Sequence, residues 1–292
     1  MEKKLLGVLK LNRIYQRDCI ESIRMIPDES IDLIFTSPPY ADRRKNTYGG
    51  VHESEYVNWF LPIAKEMKRV LKPTGSFFLN IKPHCHNGER VLYVFDLVLS
   101  LKRELGFMYV DEFVWTKNGV PGKFTGRFKN AFEPVYHFAK QKGFTHNPYA
   151  VATPIKEASL ARANRKACGE TTNGSGFAGM REGSKLKDVT LALPSNHVHI
   201  VQKTNQYTPE AKHPAVFPVE LPEFFIKAYS NENDVVLDPF MGSGTTAVSA
   251  AKLNRNFIGF ELNPEYIEIA NKRLDSVVFG EGLTKSNESE AE

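Results

Sequence analysis

The 292-residue sequence is poor in several features that would place it at once. It has three cysteines, Cys19, Cys85 and Cys168, an odd number at wide spacing. Reduced thiols therefore fit better than a disulfide framework. There is no C-x-x-C pair, and His84-Cys85-His86 alone cannot provide tetrahedral ligand spacing, so no metal is expected. No apolar run approaches the roughly 20 residues that cross a bilayer. The opening Met1-Glu-Lys-Lys-Leu-Leu6 has neither an apolar signal core nor a small-residue cleavage site. The expectation is a cytoplasmic protein without a membrane partner. A net charge of +4 permits a polyanionic partner without requiring one. No internal repeat is evident.

What is present is strand–helix alternation in a chain of ordinary composition, with 41% apolar and 25% charged residues. A short strand over 11–18 ends in Asp18, and a helix follows with Ile20, Ile23 and Ile26 at helical spacing. Ile31 to Phe35 reads as a buried strand that delivers Thr36-Ser-Pro-Pro-Tyr40. Residues 53–72 form an amphipathic helix, stopped by Pro73-Thr-Gly75 before a strand over 76–81. A helix over about 89–105 carries Val91, Phe95, Val98, Leu99 and Leu101. Two β-rich runs, 108–115 and 134–139, come next. A helix over 217–229, a strand over 234–237, a helix from Thr245, a strand over 256–260 and a helix over 264–277 complete the pattern. Such alternation predicts an α/β fold, a mostly parallel twisted sheet with helices on both faces. Ligands of such sheets bind at the carboxyl ends of the strands, where Asp18, Thr36 to Tyr40, Asp238 to Thr246 and Glu261 all fall.

The chain is organised around Asp238-Pro-Phe-Met-Gly-Ser-Gly-Thr-Thr246. Strand, glycine turn and helix N-terminus together make a cradle for a small molecule. A P-loop needs lysine after its last glycine, and here Thr245 follows Gly244. Gly242, Gly244 and Ala247 match the dinucleotide pattern G-x-G-x-x-[G/A]. Glu261, 19 positions after Gly242, is placed to hold a ribose of either a nicotinamide cofactor or S-adenosylmethionine. The turn alone does not decide between them.

Ser37-Pro-Pro-Tyr40 supplies the missing chemistry. Neither proline donates a backbone hydrogen bond, so the carbonyls remain fixed acceptors. Ser37 adds a hydroxyl acceptor and Tyr40 an aromatic face, which suit an amino group on a planar heterocycle. Together, Thr36-Ser-Pro-Pro-Tyr40 and Asp238 to Thr246 resemble the two signature motifs of the DNA amino-methyltransferases. With the catalytic motif first and the cofactor motif last, the order resembles their beta class. Four further stretches carry the likeness over most of the chain. Arg17-Asp18-Cys19 resembles the acidic motif near the cofactor adenine, and Gly259 to Tyr266 the ribose-binding motif. Trp115-Thr-Lys117 with Glu133 to Lys140 resembles the motif shaping the target-base pocket. Lys212-His-Pro-Ala-Val-Phe-Pro218 resembles the segment flanking the methionine end of the cofactor.

The resemblance implies a Rossmann-like methyltransferase fold in circularly permuted order, S-adenosyl-L-methionine as cofactor, and double-stranded DNA as partner. It implies catalytic roles for Ser37, Pro38, Pro39 and Tyr40, with acceptors at Ser37 and the Pro38 carbonyl and a flipped base stacked on Tyr40. Cofactor contacts are implied for Asp18, Cys19, Thr36, Lys212, His213, Asp238, Pro239, Phe240, Gly242, Ser243, Gly244, Thr245 and Glu261. Serine at the first position of the catalytic motif is typical of cytosine-N4 members; adenine-N6 members mostly carry Asp or Asn. Cytosine N4 is therefore the favoured target and adenine N6 the alternative. Cytosine C5 is disfavoured because no cysteine follows a proline. A nicotinamide oxidoreductase, a non-catalytic DNA-binding module and an RNA substrate are the competing readings.

The expected division is a catalytic half over 1–142, a target-recognition insertion over 143–205, a cofactor-binding half over 206–279 and an acidic, disordered tail over 280–292. The insertion has eight basic residues against four acidic ones, an excess equal to that of the whole chain. Arg162, Arg165 and Lys166 within it, and Arg43, Arg44 and Lys45 after the catalytic motif, are candidate DNA contacts. Trp115 is expected in the core, and His213 is expected to order its loop. A homodimer and a cognate restriction endonuclease, the latter as a functional partner, are further expectations of the resemblance.

Overall fold

The computed structural model describes residues 4–42, 50–117, 126–155, 191–200 and 217–280. In chain order the elements begin with β1 (Leu5–Leu6), β2 (Leu9–Lys10), β3 (Arg13–Gln16), α1 (Cys19–Ile23) and β4 (Ile31–Thr36). A 3-10 turn over Glu53–Glu55 leads into α2 (Tyr56–Val70), and β5 (Leu71–Asn80) follows without a gap. Then come β6 (Cys85–His86), β7 (Glu89–Arg90), α3 (Tyr93–Arg103), β8 (Met108–Thr116) and β9 (Phe132–Ala139). The remainder is β10 (Thr153–Pro154), β11 (Leu191–Ala192), β12 (His197–His199), α4 (Glu220–Tyr229), β13 (Val235–Asp238), α5 (Thr245–Lys252), β14 (Asn256–Glu261) and α6 (Pro264–Gly280).

Eight strands form one sheet in the order β12-β8-β9-β5-β4-β13-β14-β3. Strand β9 pairs antiparallel with β5 and β8, and every other pairing in the sheet is parallel. The expected α/β architecture is what the chain adopts. Strand β4 shows why: Leu33 and Phe35 point into one apolar cluster and Ile34 into the other, so both faces are covered. Helices α1, α2 and α3 pack on the face of Ile34, and α4, α5 and α6 on the face of Leu33 and Phe35. Along α2, the stripe Tyr56, Phe60, Ile63, Met67 and Val70 is buried at helical spacing. Among the described residues no helix is long and apolar enough to cross a membrane.

Two local expectations shift. Strand β5 starts at Leu71 and runs through Pro73-Thr-Gly75 rather than beginning after it. The pairing with β4 slips between Ile31 and Leu33, and Gly75 sits so close that an added Cβ would lie 2.6 Å from Leu71 Cδ1. The turn residues thus mark an irregularity inside the strand rather than its boundary. In α3 the buried positions are Tyr93, Val94, Leu97 and Leu101, while Phe95 and Leu99 are exposed. Within the segment over 143–205, described residues on each side join the main domain. Asn147 N donates to Ala228 O, and β12 extends the sheet beside β8.

The chain reverses its direction of travel across the sheet between two neighbours. From β4 it proceeds through α2 to β5 on one side, and from β13 through α5 to β14 on the other. Such a switch point opens a crevice at the carboxyl ends of β4 and β13. The turns leaving those strands are Ser37-Pro-Pro-Tyr40 and Asp238 to Gly244.

Candidate active site

A cavity of about 390 Å³ opens at this edge, within the range usual for small-molecule sites. Arg17, Asp18, Cys19 and Ile20 line it from the end of β3 and the start of α1. Asn58, Trp59, Pro62 and Ile63 come from α2, Pro239 and Phe240 from the turn after β13, and Glu261 and Leu262 from the end of β14. Pro39 lines it as well, so the serine–proline turn and the cavity share a wall.

The walls are mostly apolar. Trp59 and Phe240 pack at 5.7 Å between ring centroids, and Phe240 lies 6.3 Å from Phe60. Because Pro62 has no N–H, the carbonyl of Asn58 lacks its usual donor at the next turn of α2. Asp18 caps α1, its Oδ1 accepting from Ile20 N (2.9 Å) and Glu21 N (3.2 Å). Burial, then the charges of Asp18 and Glu261, push the Cys19 thiol up to about 12, so it stays protonated.

Behind the cavity the turn after β13 is closed on itself. Asp238 Oδ1 accepts from Thr36 Oγ1 (2.6 Å) and Phe240 N (3.0 Å), and Oδ2 from Thr246 Oγ1 (2.7 Å). Thr36 ends β4, so this carboxylate ties the two strands of the switch point together. Burial pushes its carboxyl up to about 6 against the pull of the Thr36, Thr246 and Phe240 hydrogen bonds. Glu261 Oε2 accepts from Gly242 N (2.8 Å), and Oε1 from Leu262 N (2.9 Å) and Asn263 N (2.8 Å). Arg273 of α6 donates to Ser243 O (2.6 Å), Ser243 Oγ (3.1 Å) and Thr245 Oγ1 (3.0 Å).

Gly244 has φ 79°, and an added Cβ would lie 2.6 Å from Ala270 Cβ. Its close approach is therefore to α6. In the same way, Asp238 organises the turn and does not line the cavity, which places it behind the cofactor contact the resemblance assigns.

The turn after β4 is held differently. Pro39 O accepts from the Tyr56 hydroxyl at 2.7 Å, and the Tyr40 ring packs against the cluster that includes Tyr56 and Phe60. Ser37 is half-buried, and its hydroxyl makes no hydrogen bond among the described residues. Two positions further along the sheet edge, Glu133 is buried between Lys82 and Lys117. Burial opposes ionisation there, but the two lysines hold its carboxyl below the usual carboxylate range. Trp115 is buried, with Nε1 donating to Ile200 O at 3.0 Å, in line with a core role.

Of the residues expected to hold a cofactor, Asp18, Cys19, Pro239, Phe240 and Glu261 line the cavity, while Thr36, Asp238, Gly242, Ser243, Gly244 and Thr245 build the turn behind it. Lys212, His213, Arg43, Arg44, Lys45, Arg162, Arg165 and Lys166 lie outside the described residues. Sequence reasoning missed Arg273, Thr246 and the cavity role of Trp59, Asn58 and Pro62. Proline at the seventh position of an otherwise regular helix was the available signal for the last two.

Residues 31–272 match the N6/N4 methyltransferase family model, described as a DNA methylase. The type II methyltransferase M.PvuII of Proteus hauseri is 33% identical, over 93% of this chain and 86% of that protein. A solved structure of the cytosine-N4-specific PvuII DNA methyltransferase superposes with a TM-score of 0.67 at 28% identity, covering 91% and 92% of the two chains. The DNA adenine methyltransferase YhdJ of Escherichia coli K12 is 29% identical, over 90% of this chain and 82% of that protein. A structure of the M1.HpyAVI–SAM complex shares the fold, with a TM-score of 0.56 at 24% identity and coverage of 90% and 98%.

Proposed function

The chain belongs to the N6/N4 family of DNA methylases, and we propose that it transfers a methyl group from S-adenosyl-L-methionine to the exocyclic N4 of a flipped cytosine in double-stranded DNA. The observation that carries this reading is the half-buried Ser37 hydroxyl, uncommitted beside a cavity of cofactor size. The cavity's chemistry fits an adenosyl group. Trp59, Phe240, Pro39 and Ile20 offer apolar surface for a purine, with Asp18 read as facing the adenine edge and Glu261 the ribose. When bound, the cofactor supplies an electrophilic methyl on a sulfonium sulfur.

The chain's own residues then position the nucleophile. The N4 lone pair of cytosine is delocalised into the ring and attacks poorly. Ser37 Oγ and the Pro38 carbonyl accept from the amine, which localises that pair and aims it. Tyr56 fixes the turn through Pro39 O, so the acceptors need little reorganisation when the base arrives. Tyr40 provides the face on which the base stacks. Because the leaving thioether is neutral and the methylated amine is acidic, the proton departs late, and no strong general base is assigned.

Arg43, Arg44 and Lys45, and Arg162, Arg165 and Lys166, are read as phosphate or base contacts from their charge and chain position. A homodimer and a restriction endonuclease acting on the same site belong to this proposal and not to the observations. Adenine N6 is the second reading, favoured by the likeness to the Escherichia coli adenine methyltransferase. The decisive experiment sequences DNA from cells expressing the chain with a method that separates N4-methylcytosine from N6-methyladenine. N4-methylcytosine at one recurring sequence is expected. N6-methyladenine instead would overturn the base assignment, and unmodified DNA under conditions where the protein folds would overturn the activity.

A further inference from the structure

Three separate segments meet close after the serine–proline turn. Asp42 follows Tyr40 by two positions, Glu53 opens the 3-10 turn before α2, and His84 lies in the loop after β5. One ligand atom from each, and all three atoms, lie within 4.8 Å of one another. His84 Nε2 stands 3.4 Å from Glu53 Oε2, and the His84 side chain is only 10% exposed. That oxygen of Glu53 is buried and accepts no hydrogen bond among the described residues. The backbone around the cluster is fixed. Glu53 N donates to Asp42 Oδ2 (3.2 Å), Asp42 N to Val51 O (2.9 Å) and Val91 N to His84 O (3.1 Å).

Two carboxylates and one imidazole are the ligand set of a borderline divalent metal ion. Ligand atoms 2.0–2.1 Å from a tetrahedral ion are separated from each other by about 3.4 Å, the separation that Glu53 and His84 already have. The buried Glu53 oxygen has no hydrogen-bond donor among the described residues, which leaves it available as a ligand. A dication would satisfy it. Cys85 and His86, adjacent in sequence, pair with Arg90 and Glu89 in the β6–β7 hairpin and are not part of the cluster.

We propose that Asp42, Glu53 and His84 form a binding site for a divalent ion of the zinc class. It pins the segment leaving the catalytic turn to the start of α2 and to the end of β5. The site is independent of which base is methylated, and the open coordination positions are filled by water.

The test uses the full-length, tag-free protein after chelator treatment, titrated with Co²⁺ and then Zn²⁺. One equivalent of Co²⁺ should produce visible absorption bands that Zn²⁺ removes, and the melting temperature should rise on binding. Asp42→Asn and Glu53→Gln are near-isosteric, and each should weaken Co²⁺ binding by at least about tenfold. Either variant alone is sufficient, provided its circular dichroism matches that of wild type in chelator. The double variant Cys85→Ser/His86→Ala should bind as wild type does. Absence of saturable binding would overturn the site. So would binding kept in both acid variants, or lost only in the Cys85/His86 variant.

Discussion

The two turns that meet at the switch point are built in opposite ways. The turn after β13 is tied from every side: Asp238 takes three donors, Glu261 three backbone donors, and Arg273 three acceptors on Ser243 and Thr245. The turn after β4 has two prolines, an anchor from the Tyr56 hydroxyl on Pro39 O, and a serine hydroxyl with no partner among the described residues. Covalent stiffness in one does what hydrogen bonding does in the other. On the proposed reading, the turn after β4 keeps Ser37 Oγ and the Pro38 carbonyl available for an incoming amine, while the turn after β13 spends its polar groups on shaping the cavity from behind.

That contrast predicts different failures. Ser37→Ala should lower the rate of labelled methyl transfer by about 10² to 10³-fold, the range for losing one preorganised hydrogen-bonding group. Equilibrium binding of the cofactor and the melting temperature should stay at wild-type values. Retained activity would mean that the hydroxyl is not the acceptor. Asp238→Ala should show the reverse pattern, with stability lost first. It strands two buried hydroxyls and one N–H, at a cost of about 3 kcal/mol in denaturant unfolding.

The Asp238 carboxyl also sets a pH signature. Its folded value of about 6 lies above the ordinary 3.8, so its contribution is full below 3.8 and is lost as pH rises through 6. The destabilisation caused by Asp238→Asn should therefore be larger at pH 5 than at pH 7, by about 1 kcal/mol. An equal effect at both values would show that the carboxyl titrates normally. Gly244→Ala tests packing behind the same turn. A methyl group 2.6 Å from Ala270 Cβ, on a backbone at φ 79°, should cost about 1–3 kcal/mol. Ala270→Gly should restore part of it by relieving the contact, leaving the backbone penalty in place.

The sequence was informative about this edge of the sheet to the extent that chemistry is local. Buried runs such as Ile31 to Phe35, and the glycines and prolines after the strands, announce themselves through composition and order. Asp18 and Glu261 were identifiable as acids at strand ends. Roles that depend on another segment were not. Asp238 looks like a ligand-facing acid until Thr36 and Thr246 are seen to occupy it. Gly244 looks like a ligand approach until Ala270 is placed beside it. Arg273 sits 30 residues from Ser243 with no local pattern to mark it. Strand β5 continues through Pro73-Thr-Gly75 because pairing with β4 outweighs local turn chemistry. Helix α3 likewise presents Phe95 and Leu99 outward, since its burial phase is set by the neighbouring α2 and not by apolar count.

His137 provides the control that separates the chemistry of the two turns from acid unfolding. It is buried on β9, stacked on Phe78 at 4.4 Å, with Nε2 at 3.0 Å from Ser76 Oγ, and it lines neither turn. Burial, and secondarily His146, push its imidazole down to about 3. The unfolded value is near 6.5, so folding expels a proton; stability is full above 6.5 and is lost as pH falls toward 3. His137→Phe keeps the ring stack, loses one hydrogen bond and should change stability at pH 7 by no more than about 1 kcal/mol. Its acid limb should be shallower than that of wild type in melting temperature measured from pH 7 to pH 4. If the limb is unchanged, acid sensitivity arises elsewhere. If methyl transfer falls with pH in parallel in both proteins, the loss belongs to the catalytic edge and not to the core.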